Sequence, residues 1–209
     1  SLEAQMLNAE IFETIRDQSL AASKKAAKEL GEPELLKGYG ERWVTRMAVA
    51  PNTSSAFILG QVSQSIEPYK SNYYVKDLAK FKATIKNPYL EALLEEKGED
   101  TDDIWASILR NNGSVQHLDC LNQQEKDVFR TFPELSQREI ILHAVIRQKF
   151  ICQGQSLNIT INPEATAKEI NKLMIFAWEN GIKGLYYQHS TNASQAFYRK
   201  LNECSSCEG

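Results

Sequence analysis

Three short segments of this 209-residue chain hold residues whose types and spacing suit chemistry. The first is the pair Tyr186–Tyr187 in KGLYYQ. A phenol can lose one electron together with its proton, and neighbouring rings can pass the hole on. Set against that, two tyrosines in one strand are commonly core residues pointing to opposite faces, each with a partner for its hydroxyl. The second is Cys204-Ser-Ser-Cys207 in the polar C-terminal stretch ECSSCEG. A C-x-x-C spacing favours a disulfide or a lowered thiol pKa. This copy follows no strand and opens no helix, so it reads as a dithiol on a mobile tail or as incidental cysteines. A zinc site would need two further ligands, and His189 is the sole nearby candidate, so no metal is expected. The third is Pro51-Asn52-Thr53-Ser54-Ser55, between an apolar run and AFILG. Unpaired N–H groups at a helix start, with hydroxyls and the positive end of the helix dipole, suit an anion. The same hydroxyls also suit simple helix capping.

The elements that must position these groups are partly legible. Residues 3–30 have apolar positions at helical spacing, stopped by Gly31 and Pro33. A polar connector, 31–42, precedes WVTRMAVAP, which reads as a buried strand, and AFILG, which reads as a first helical turn. Residues 72–85 are β-branched and aromatic with a turn-like middle, hence one or two strands. Pro88 starts a helix to about Lys97, and Asp102-Asp103 open another that Asn111-Asn112-Gly113 closes. Ser136 and Glu139 match a capping box before the long apolar helix QREIILHAVIRQKFICQ. SLNITI alternates as a strand, residues 165–180 form a helix ending at Gly181, and IKGLYYQ is a second strand. Strand, crossover helix and strand make a βαβ unit with adjacent parallel strands.

Composition sets limits on function. Hydrophobic residues are 42% and charged residues 24%, enough for a core. The length suits one large domain or two small ones. A net charge of −3 with mixed signs argues against an extended nucleic-acid groove. No run approaches the ~20 apolar residues of a bilayer span, and the N-terminus is not that of a signal peptide. A cytoplasmic setting, bacterial or a phage host's, is expected. Of the four cysteines, Cys120 and Cys152 read as structural.

Taken together the segments resemble the C-terminal part of the large, catalytic subunit of class Ia aerobic ribonucleotide reductase, from a split or phage-like gene. MAVAPNTSSAFILGQVSQSIEPY, NNGSVQ at 111–116, QGQSLNI at 153–159, KGLYYQ at 183–188 and the paired tail cysteines stand in that family's order and at about its spacing. The resemblance covers residues 10–209. It implies an α/β fold, the C-terminal portion of a ten-stranded α/β barrel over 1–190, with a flexible redox tail over 191–209. It implies that Pro51, Asn52, Thr53, Ser54 and Ser55 bind the substrate diphosphate. Tyr187 would receive the radical hole from the small subunit and Tyr186 would pass it to an active-site thiol. Cys204 and Cys207 would reduce the active-site disulfide and be reduced by thioredoxin or glutaredoxin. No cofactor is expected on this chain; a di-iron tyrosyl radical is expected in the small subunit.

The family's radical cysteine and its two electron-supplying cysteines lie upstream of these motifs, so the chain alone is expected to be inactive until joined by the N-terminal part of the large subunit. Two positions depart from the pattern. Asn52 stands where a small hydroxyl residue is expected, and Cys152 where the family often has Asp. The competing class is a stand-alone α/β phosphate binder with a C-terminal dithiol, or an inactive remnant.

Overall fold

The computed structural model describes residues 1–60, 63, 65–78 and 81–190. They form two compact units, one of residues 1–66 with 137–190 and one of residues 67–136.

The first unit is organised by helix α1, Leu2–Leu30. Ser1 caps it by accepting the N–H of Ala4 at 3.2 Å, and Gly31 at φ 79° ends it. One face of α1 packs on α6, Gln137–Gln148. Asn8 donates to the carbonyl of His143 at 3.0 Å, and the Arg16 guanidinium lies 5.1 Å from the centre of the Phe150 ring. Buried Ser23 accepts the N–H groups of Arg42 and Trp43, which ties the returning connector to the helix. Next comes α2, Thr53–Ile58. β3, Ile159–Thr160, helix α7, Ala167–Glu179, and β4, Gln188–His189, complete the unit.

β3 and β4 are parallel and joined through α7, so the βαβ connection holds, but each strand is two residues long and most of SLNITI and IKGLYYQ is extended chain outside regular strand. α7 starts at a Thr166–Glu169 capping box. Ile141 and Ala144 of α6 pack with Leu157, Ile159, Ile161, Ala177 of α7 and Ile182 in one core cluster. The strand expected over WVTRMAVAP is reduced to a single parallel bridge, Val49 to Gln155. Its ladder is nevertheless present: Gln153 N–H donates to Met47 O at 3.1 Å, Val49 N–H to Gly154 O at 3.2 Å and Ser156 N–H to Val49 O at 2.8 Å. Three parallel chain segments therefore lie side by side, 47–49, 153–161 and 186–189.

In the second unit β1, Tyr73–Leu78, and β2, Phe81–Lys86, pair antiparallel with Tyr73 opposite Lys86. Asn87 caps α3, Pro88–Lys97, with Pro88 in the first turn and Gly98 left-handed at its end. Thr101 caps α4, Asp102–Arg110. A short helix α5, Gln123–Val128, starts at an Asn122–Glu125 capping box and was not expected from apolar periodicity. Leu90, Leu94, Trp105, Ile108, Val115, Leu118 and Leu121 form the core. The NNGSVQ segment serves this unit's architecture. Asn112 and Gly113 take positive φ to close α4, and the Gly113 carbonyl accepts both the backbone N–H and the side-chain amide of Asn72.

Candidate functional site

Tyr186 and Tyr187 come just before β4, so the strict alternation of strand side chains does not govern them. The Tyr186 N–H donates to Leu157 O at 2.8 Å, and the Tyr187 carbonyl accepts from Ile159 at 3.0 Å. Asn158, buried, accepts the Tyr187 N–H through its side-chain oxygen at 3.0 Å. With the backbone so held, both rings turn to the same side. Their centroids are 4.2 Å apart at 54°, and the Tyr186 hydroxyl donates to the Tyr187 oxygen at 3.5 Å. They are 48% and 57% exposed, so the core alternative is not what is observed. The hydrogen bond to Tyr187 is the main reason the Tyr186 phenol holds its proton above its ordinary pKa. His189 extends the aromatic row, 6.1 Å from Tyr187 between ring centres.

The loop at 51–55 differs from its expected form. α2 begins at Thr53, three residues before AFILG, so the hydroxyl residues form the first helical turn. Asn52 takes the N-cap place, its carbonyl accepts from Ala56 at 3.0 Å, and its side chain makes no capping bond. First-turn N–H groups have no acceptor within a helix. Pro51, Asn52 and Ser55 are exposed. Asn52 and Ser55 also line a cavity of ≈ 580 Å³, with Arg46, Met47 and Val49 on the segment leading in and Phe12 and Ile15 of α1 on one wall. That volume suits a small ligand. Arg46 is paired with Glu41, while its Nε is buried without a hydrogen-bond partner among the described residues.

Residues outside the candidate set brace the segments that lead to the loop and to the tyrosines, and Cys152 is structural, as expected. The Cys152 sulfur accepts the N–H groups of Arg46 at 3.0 Å and Met47 at 3.1 Å, and its thiol lies 3.3 Å from Met47 O. Burial pushes this thiol's pKa up, but the N–H groups of Arg46, Met47 and Cys152 itself, with the Arg46 charge, act the other way, and the net direction is down. Lys183 donates to the carbonyls of Cys152 at 2.7 Å and Gln153 at 3.2 Å. Gln155 donates to Ala144 O at 2.8 Å and accepts from the Nε of buried Arg147 at 3.1 Å. Burial lowers the Arg147 pKa to about 10, leaving it charged at neutral pH. The QGQSLNI motif thus carries two braces, Gln155 toward α6 and Asn158 toward Tyr187. Its spacing signalled the family, and its individual roles needed the fold. Cys204 and Cys207 lie outside the described residues.

The phenol pair and the anion-suited loop thus lie at the two outer of three parallel segments of one unit, with 153–161 between them. Comparison with known proteins gives a consistent picture. Residues 33–188 match the family model described as ribonucleotide reductase, barrel domain. The chain is 35% identical to the ribonucleoside-diphosphate reductase large subunit of Invertebrate iridescent virus 3, across 100% of this chain and 35% of that protein. It is 33% identical to the large subunit of Caenorhabditis elegans, across 94% of this chain and 29% of that protein. Among solved structures, the class Id ribonucleotide reductase alpha subunit of Actinobacillus ureae superposes with a TM-score of 0.86 at 51% identity, over 93% of this chain and 36% of that one. The chain therefore spans about a third of the length of the relatives it matches.

Proposed function

We propose, for a chain that belongs to the ribonucleotide reductase barrel-domain family, that it supplies the radical-transfer and substrate-phosphate part of a large subunit reducing ribonucleoside diphosphates to deoxyribonucleoside diphosphates. The observation that carries this is the exposed phenol pair with its oxygens 3.5 Å apart. In the forward step Tyr187 gives up an electron and its proton toward the small subunit. Tyr186 restores both to Tyr187 and is restored in turn by a thiol on the rest of the large subunit. Exposure of Tyr187 suits a residue reached from a partner surface. Pro51, Asn52, Thr53, Ser54 and Ser55 hold the substrate diphosphate, a role supported by the α2 start and the adjoining cavity. Cys204 and Cys207 carry electrons in from thioredoxin or glutaredoxin.

The rest of the large subunit and the small subunit are the required partners. The motifs imply a class Ia di-iron tyrosyl radical in the small subunit, and the Actinobacillus relative is described as class Id. Metal analysis of the matching small subunit decides between them. No helix among the described residues is long and apolar enough to cross a membrane. A cytoplasmic location, where thiol reductants keep Cys204 and Cys207 cycling, fits the reading.

The test combines this chain, the remainder of the large subunit and the small subunit, and follows conversion of a ribonucleoside diphosphate. Phenylalanine keeps the ring but has no O–H to oxidise. Tyr187→Phe is expected to bring turnover to background while nucleotide binding is unchanged. Full activity of Tyr187→Phe would end the radical-path assignment.

A further inference from the structure

The packing of α1 leaves an apolar stripe uncovered. The helix uses the side bearing Asn8, Phe12 and Arg16 against α6 and its flanks. A second side carries Ala4, Leu7, Ile11, Ile15 and Ala22, all exposed. Leu7, Ile11 and Ile15 follow one another at intervals of four, so they stack on one face. They are 56%, 46% and 46% exposed. Three aligned aliphatic side chains that each keep about half their surface in water leave apolar area still to be buried.

We infer that this α1 stripe is the seam on which the rest of the large-subunit polypeptide packs. The inference rests on the reading of the chain as one part of a reductase large subunit. Two observations name that occupant over a second copy of this chain. The chain spans about a third of its relatives, so most of the polypeptide that covers these elements in a complete subunit is not in this chain. The parallel segments show the same shortage of cover. Segment 47–49 pairs only with 153–156 among the described residues, and β4 only with β3. A barrel leaves no such edges, and parallel strands are covered on both faces. The stripe also runs into the wall of the cavity beside the 51–55 loop, since Ile15 belongs to both. Packing along α1 therefore brings the missing polypeptide to the loop's border.

The test titrates the full chain with a polypeptide supplying the rest of the large subunit and measures association by sedimentation. Leu7→Glu with Ile11→Glu is compared with Lys172→Glu, an exposed polar control on α7. All these positions are exposed, and circular dichroism checks that the fold survives. The double variant is expected to bind about a hundredfold more weakly, the size expected for two lost aliphatic contacts, and the control is expected to bind as wild type. Equal binding by the double variant, or no binding by the wild-type chain, overturns the seam. So does a wild-type dimer that the double variant abolishes while still binding the other polypeptide, because the stripe then belongs to a second copy. If the seam behaves as expected and the reconstituted wild type reduces no ribonucleoside diphosphate, the seam stands and the activity reading falls.

Discussion

At the scale of single residues, Tyr186 and Tyr187 are oriented by the hydrogen bonds of their own backbone, from the Tyr186 N–H to Leu157 O and from the Tyr187 N–H to the Asn158 side chain. Tyr186 and Tyr187 were visible as a pair, yet alternation along a strand argued that they diverge. They converge because regular β4 starts one residue later and Asn158 fixes the Tyr187 backbone from the neighbouring segment. That long-range bond leaves no trace in local spacing. Gly113 is the clearest case of a motif residue needed by the fold. Its φ is +81°, and an added Cβ would lie 2.6 Å from the Ser71 Cα as well as meeting the Ser71 side chain. Gly98 has a similar φ of +72° with open space around it. Gly113→Ala is therefore expected to destabilise by roughly 2–4 kcal/mol, strain and steric clash together. Gly98→Ala should cost about 1 kcal/mol, from the left-handed conformation alone. Urea unfolding of both variants measures the difference, and equal losses would show that the Ser71 contact is relieved by a local shift.

At the scale of elements, what could be read depended on whether the signal was local. α1, α3 and α4 were legible end to end because Gly31, Pro88, Gly98 and Asn112-Gly113 punctuate them. α5 was missed because QQEKDV has no apolar face, and its one signal was the Asn122–Glu125 capping box. The short parallel segments were harder still, since their pairing is set by distant side chains. Cys152 is the main example, with its sulfur bonded to the N–H groups of Arg46 and Met47 just ahead of the 51–55 loop. Those two donors, with the N–H of Cys152 itself and the Arg46 charge, favour the thiolate and lower the Cys152 pKa despite the opposing effect of burial. Burial, with Glu99 next, raises that of Cys120. Alkylation follows the thiolate fraction. As pH rises, Cys152 should therefore reach half-maximal labelling below the ordinary thiol range and Cys120 above it. Peptide mass mapping across a pH series reads the two midpoints separately from accessibility. Coincident midpoints would remove the idea that the strand N–H groups hold this sulfur as an anion acceptor.

At the scale of the molecule, the sequence suggested an α/β piece of a barrel, and the family match together with the βαβ arrangement of β3, α7 and β4 supports that class. What it left open was how the burial is divided. Each compact unit owns a separate core, one built on Leu90, Leu94, Trp105 and Ile108, the other on Ile141, Ala144, Leu157 and Ile159. Trp105 anchors the former: it is 1% exposed, its Nε1 donates to Asp100 at 2.5 Å, and Lys86 sits 4.6 Å over its ring. Trp105→Ala removes a buried ring and strips two charged side chains of a partner, a loss of about 3–5 kcal/mol. Because the two cores share no residue, that loss should fall on one unit. Hydrogen exchange of the variant is expected to lose protection at amides of 87–121 while those of 141–161 and 170–182 keep theirs, as cooperative sub-structures do. Uniform loss of protection would show instead that the two cores unfold as one. Such a result would place the Tyr186–Tyr187 site at the mercy of every core residue in the chain.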